Sequence, residues 1–132
     1  MIAPADLIAD IDGALDLTGS EITLQRVARA SPLGGTDMVV EAEATVRAFV
    51  RPLGGGDRSE PLVGTVAQND WLIILSPTDI VASGWESGST VNPVVPIPGN
   101  RVATKVGALT VVAATPFYVA DDLVRIELQA RG

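Results

Sequence analysis

The chain contains no cysteine and no histidine. Without cysteine there is no disulfide framework, no thiolate metal site and no thiol nucleophile. Without histidine the usual general base, the catalytic triad and most transition-metal sites are excluded. Aromatic residues make up only 4% of the sequence, too few for the stacking platforms of sugar- or base-binding surfaces. Basic residues are scarce as well. Nine Lys plus Arg stand against sixteen Asp plus Glu, a net charge of −7, the opposite of the footprint that phosphate neutralisation requires. An acidic surface suits something DNA slides past without sticking.

Long apolar runs are missing too. The apolar stretch Trp71 to Leu75 is of strand length, far short of the ~20 residues of a membrane helix. Met1 is followed by Ile2-Ala3-Pro4-Ala5-Asp6, without the cationic and apolar regions of a secretory signal, so a soluble protein made in a cytoplasm is expected.

What is present is 132 residues, 47% hydrophobic, with thirteen Gly and nine Pro. That length fits one domain with one core, and abundant Val and Ala favour thin, closely packed sheets. One domain over 1–132 is expected, with a helix in 1–19, a β region in 20–132, and long loops near 52–61 and 83–100.

From Pro4 to Leu17, Leu7, Ile8, Ile11 and Leu15 recur at helical spacing, which predicts a short amphipathic helix with Gly19 as its C-terminal cap. Asp6, Asp10, Asp12 and Asp16 read as its solvated face. A calcium site is not expected there, because such sites need a loop that wraps the ion. Extended structure follows from Ile22 to Val27, then a turn at Ser31-Pro32-Leu33-Gly34-Gly35.

From Met38 to Arg51, Val40, Ala42, Ala44, Val46, Ala48 and Val50 share one face and Glu41, Glu43, Thr45, Arg47, Phe49 and Arg51 the other, a long strand buried on one side. Glu41 and Glu43 form a carboxylate pair without evident pKa asymmetry, and Arg47 on the same face predicts charge pairing with them. Pro52 to Pro61 reads as a loop. Its Gly54-Gly55-Gly56 lacks the Lys-Ser/Thr and helix of a phosphate loop.

Leu62 to Val66 and Trp71 to Leu75 read as strands, and Ser76-Pro77-Thr78-Asp79 as the start of a turn. The glycines and prolines between Ser83 and Asn100 exclude regular structure over most of that stretch. Val102 to Val106 and Leu109 to Ala114 read as strands parted at Gly107, with Phe117 to Val119 extending the second. Val124, Ile126, Leu128 and Ala130 form the inner face of a last strand. Trp71 and Trp85 read as core or interface anchors. Six or seven strands and one short N-terminal α-helix predict a mostly β fold, a small antiparallel β-barrel or sandwich.

Several segments carry a likeness to a known family. They are Ile22-Thr23-Leu24-Gln25-Arg26, the long alternating strand running into a Gly-rich loop, Gln68 to Leu75, and Val124 to Gly132. Over most of Ile22 to Gly132 the chain resembles the head-closure or stopper proteins of tailed bacteriophages, the head-tail joining group. The N-terminal helix departs from that pattern.

The resemblance implies a small β-barrel assembled as a homo-oligomeric ring, of about six or twelve subunits, in the virion neck. A portal or adaptor protein would lie above it and a tail protein below. The ring would help retain packaged DNA through transient non-specific contact, with no cofactor, no metal and no enzymatic activity. In that setting the loop residues Arg51, Gly54, Gly55, Gly56, Asp57 and Arg58 are the candidate channel or inter-ring contact. Two other readings stay open, a tail-completion or minor tail protein and a ligand-binding β-sandwich.

Overall fold

The computed structural model describes residues 3–29, 38–53 and 70–132. The elements run α1 (Pro4–Thr18), β1 (Ser20–Arg29), β2 (Met38–Pro52), β3 (Asp70–Leu75), α2 (Pro77–Ser83), β4 (Arg101–Thr104), β5 (Gly107–Val119) and β6 (Asp122–Arg131). All strand pairings are antiparallel, in the order β1-β2-β3-β6-β5-β4, and β4 returns to β1 to close a barrel. The choice between barrel and sandwich therefore falls to the barrel.

Alternation explains the closure. Ile22 and Leu24 of β1, Ala44, Val46 and Ala48 of β2, and Ile73 and Leu75 of β3 point inward. Val102 of β4, Leu109 and Val111 of β5, and Ile126, Leu128 and Ala130 of β6 meet them in one cluster. Alanines placed among isoleucines and leucines suit a narrow, side-chain-filled interior. Each fully buried aliphatic side chain contributes about 1.5–3 kcal/mol. Trp85 joins this core, its Nε1–H donating to the Ala42 carbonyl at 3.2 Å.

The strands are unequal, and this shapes the surface. β3 reaches only Ala48–Pro52 of β2, and β4 only Thr23–Gln25 of β1 and Gly107–Thr110 of β5. Beyond those pairs the β1–β2 and β5–β6 hairpins run on past the closed part. On one side α2 continues from β3 into the gap and packs against β2 and β6, with α1 against the same strands. Residues 84–100 bridge β1 and β5. Arg26 Nη1 donates to the Glu86 carbonyl at 2.9 Å, the Gly99 N–H to the Val111 carbonyl at 3.0 Å, and the Val111 N–H to the Asn100 carbonyl at 2.8 Å.

That bridge has no helix or strand, as its glycines and prolines predict, yet it is firmly held. The buried Asn100 side chain accepts from the Ile97 N–H at 2.8 Å and donates to the Ser87 carbonyl at 3.1 Å.

One local expectation is corrected. Ser76-Pro77-Thr78-Asp79 opens a helix rather than a turn, with Ser76 as N-cap accepting from the Thr78 N–H and Pro77 in the first turn. As expected, Phe117 to Val119 extend β5 past Pro116, where β4 no longer reaches and, among the described residues, β6 is the one neighbouring strand. Proline is tolerated at such an edge. Gly19 does cap α1, but in an extended conformation at φ −81°, with its N–H donating to the Leu15 carbonyl at 2.8 Å. The expected strand Leu62 to Val66 and the turn from Ser31 to Gly35 lie outside the described residues.

Candidate functional site

Arg47 is the pivot of the helix side of the barrel. Asp79 of α2 accepts from its main-chain N–H and Nε, both at 2.9 Å, and from Nη2 at 3.0 Å. Asp16 of α1 accepts from Nη1. Hydrogen bonding from Arg47 holds the Asp79 carboxyl below its ordinary range, and the two carboxylates hold the guanidinium charged beyond its usual one. Asp12 adds a second tie between the helices, accepting from Thr78 Oγ1 at 2.7 Å.

This corrects two expectations. The solvated face holds for exposed Asp6, Asp10 and Asp16 but not for half-buried Asp12, and both Asp12 and Asp16 also fasten the helix down. Arg47 serves the helices rather than Glu41 and Glu43. Glu41 instead meets Arg26 at 3.6 Å, and Glu43 accepts from Gln25 Nε2 at 3.5 Å.

The clamp leaves an apolar cleft of about 380 Å3 beside it. Its walls are Ala5 and Ile8 of α1, Val81 of α2, Asn92 and Val94 of the bridge, and Leu123 of β6. Leu7, Ile8 and Ile11, expected to be the buried face of α1, are only half-buried, and Leu15 alone is buried. Val81 is 62% exposed.

A second surface is the β1–β2 arm. The expected inward face holds from Ala42 to Val50 but fails at Val40, which is 44% exposed beside Val39 at 49%. The register shifts between Arg26 and Val27, so the arm twists away from the core there.

At the far end of β2 lies a buried charge. Asp70 is fully buried, and its carboxylate accepts from Gln129 Nε2 at 2.8 Å and from Arg131 Nε and Nη2 at 2.7 and 3.0 Å. It pins the start of β3 to the end of β6, immediately after the undescribed residues 54–69.

Of the expected channel residues, Arg51 is exposed near the end of β2, while Gly54, Gly55, Gly56, Asp57 and Arg58 lie outside the described residues. The structure brings none of the described ones to the cleft. Sequence reasoning missed both apolar surfaces, although a signal existed. In the one-sided strand β2, Val39 and Val40 are apolar neighbours, so one of them must face outward. Among the described residues no group of three or more Asp or Glu side chains is gathered as a metal site. A scan against protein-family models finds no match for this chain, and neither does a search of the curated proteins.

Proposed function

We propose that this chain is a structural subunit of a tailed-bacteriophage neck, several copies forming a ring that joins head to tail and helps retain packaged DNA. The observation that carries the reading is the β1–β2 arm. It extends past the closed barrel and holds Val39 and Val40 in solvent on a hydrogen-bonded hairpin, a surface that a neighbouring subunit would cover. Among the described residues the closed body has no free strand edge around its middle, which disfavours open-ended growth by strand addition. Assembly then runs through side-chain surfaces and arms.

The net charge of −7 supports passage of DNA without adhesion, and exposed Arg51 supplies a local phosphate contact. No catalytic role forms part of the proposal.

Light scattering tests it, on the chain alone and mixed with candidate portal and tail proteins from the same genome. The expected result is a mass of several subunits in at least one mixture, lost in a Val39→Glu, Val40→Glu variant that keeps its β circular dichroism. A chain that stays monomeric in every mixture, in a virus whose particles assemble normally with the double variant, would overturn the reading.

A further inference from the structure

The cleft beside the Arg47 clamp is a different surface from the arm. We infer that it docks a segment of another protein, one that presents an aliphatic anchor side chain flanked by lysine or arginine. This does not depend on the ring.

The chemistry of the walls carries the first half. Ile8, Val81, Val94 and Leu123 present apolar atoms to a space of about 380 Å3, near the low end of the roughly 300–1,000 Å3 of ligand pockets. Small-molecule sites bury most of their ligand, whereas this cleft is open, with Ala5 and Thr78 exposed and Val81 62% exposed. An open apolar trough suits an anchor side chain whose backbone belongs to a larger surface. Its walls are fixed in advance, since Arg47 joins α2 to α1 and Asn92 Nδ2 donates to Tyr118 Oη at 3.2 Å, so binding need not order them.

Charge carries the second half. Among the described residues no basic side chain lines the cleft, and the one charged lining residue is Asp122. Exposed Asp121 precedes Asp122 in the hairpin turn, and exposed Asp6 stands in the same first turn of α1 as Ala5. A basic neighbour beside the anchor is therefore attracted and an acidic one repelled. A second copy of this chain, itself at −7, is the poorer occupant.

Nuclear magnetic resonance titration of the full chain tests the inference, with two amphipathic peptides as probes. Both carry the same leucines, one among lysines and the other among glutamates. The lysine peptide should shift the amides of Ala5, Ile8, Val81, Asn92 and Leu123. It should bind at least about tenfold more tightly than the glutamate peptide, with the gap narrowing in about 0.5 M salt. Val81→Lys, at an exposed position, should abolish the shifts without unfolding the chain, Asp122→Asn should weaken them, and Asp10→Asn should leave them unchanged.

Equal binding of the two peptides would overturn the inference, as would shifts spread over the whole surface or shifts that survive Val81→Lys. Concentration-dependent broadening at the cleft without any peptide would assign it to a second copy instead.

Discussion

Asp79 grips Arg47 at both backbone and side chain, its Oδ2 accepting from the main-chain N–H and from Nε at the same 2.9 Å. Pairing of β2 with β3 begins at Ala48, so the Arg47 N–H is the first that β3 does not reach. The carboxylate takes the place of the absent strand, and α2 thereby continues the barrel wall by other means.

Asp79→Asn should cost roughly 1.5–3 kcal/mol at neutral pH, the range for hydrogen bonds to charged groups. Because Arg47 lowers the folded-state pKa of Asp79 below its ordinary 3.8, the pair's contribution is complete above that value. It is lost as pH falls through the lower folded value. Melting temperatures of wild type and variant should thus differ at pH 7 and converge below about pH 4. A constant difference down to pH 2 would refute this account.

Two glycines of the first segment should respond oppositely to alanine. A Cβ on Gly19 would come 2.6 Å from the Leu15 carbonyl oxygen and 3.0 Å from that of Ala48, both backbone atoms. Gly19→Ala should destabilise by about 1–3 kcal/mol, as overpacking does. At Gly13, inside α1, nothing lies within 4 Å of the added carbon, so Gly13→Ala should stabilise by about 0.5–1 kcal/mol. Urea unfolding of the two variants measures both signs.

The faces of β2 should differ as sharply. Val46 is buried in the barrel and Thr45 is exposed. Val46→Asp should cost more than about 4 kcal/mol, and Thr45→Asp within about 0.5 kcal/mol. Thermal melts of the two proteins check the register, and equal shifts would contradict it.

The β5–β6 turn stores strain that substitution can release. Ala120 and Asp121 have φ of 50° and 70°, a left-handed pair that favours Asn-Gly. Replacing them by Asn and Gly should raise stability by roughly 0.5–1 kcal/mol. Calorimetry showing no rise in melting temperature would count against the turn geometry.

How much of this was legible in the sequence depended on the range of each interaction. The inward faces of β2 and β6 follow from alternation alone, since a strand's period is local. α2 did not show itself because seven residues are too few for a helical period, though Ser76, Pro77 and Asp79 are a cap, a first-turn proline and a first-turn acid. Why β5 can pass through Pro116 was not legible, because only topology reveals that β4 stops short of it. The pairing of Asp16 and Asp79 with Arg47 was not legible because Arg47 is remote in sequence and is brought to both by closure of the sheet. The cleft was hidden for the same reason, its walls coming from four separate segments.

The seam between β1 and β4 has a kinetic consequence. Its three pairs, from Thr23↔Ala103 to Gln25↔Arg101, join residues separated by most of the chain, whereas the β1–β2 and β5–β6 hairpins join near neighbours. Local hairpins form fast and distant closure pays the larger loop entropy before any contact rewards it. The seam therefore zips last, after β4 has emerged from the ribosome. Until then the hairpins carry exposed apolar faces, and the speed of that final step sets how long the nascent chain can be diverted into aggregation.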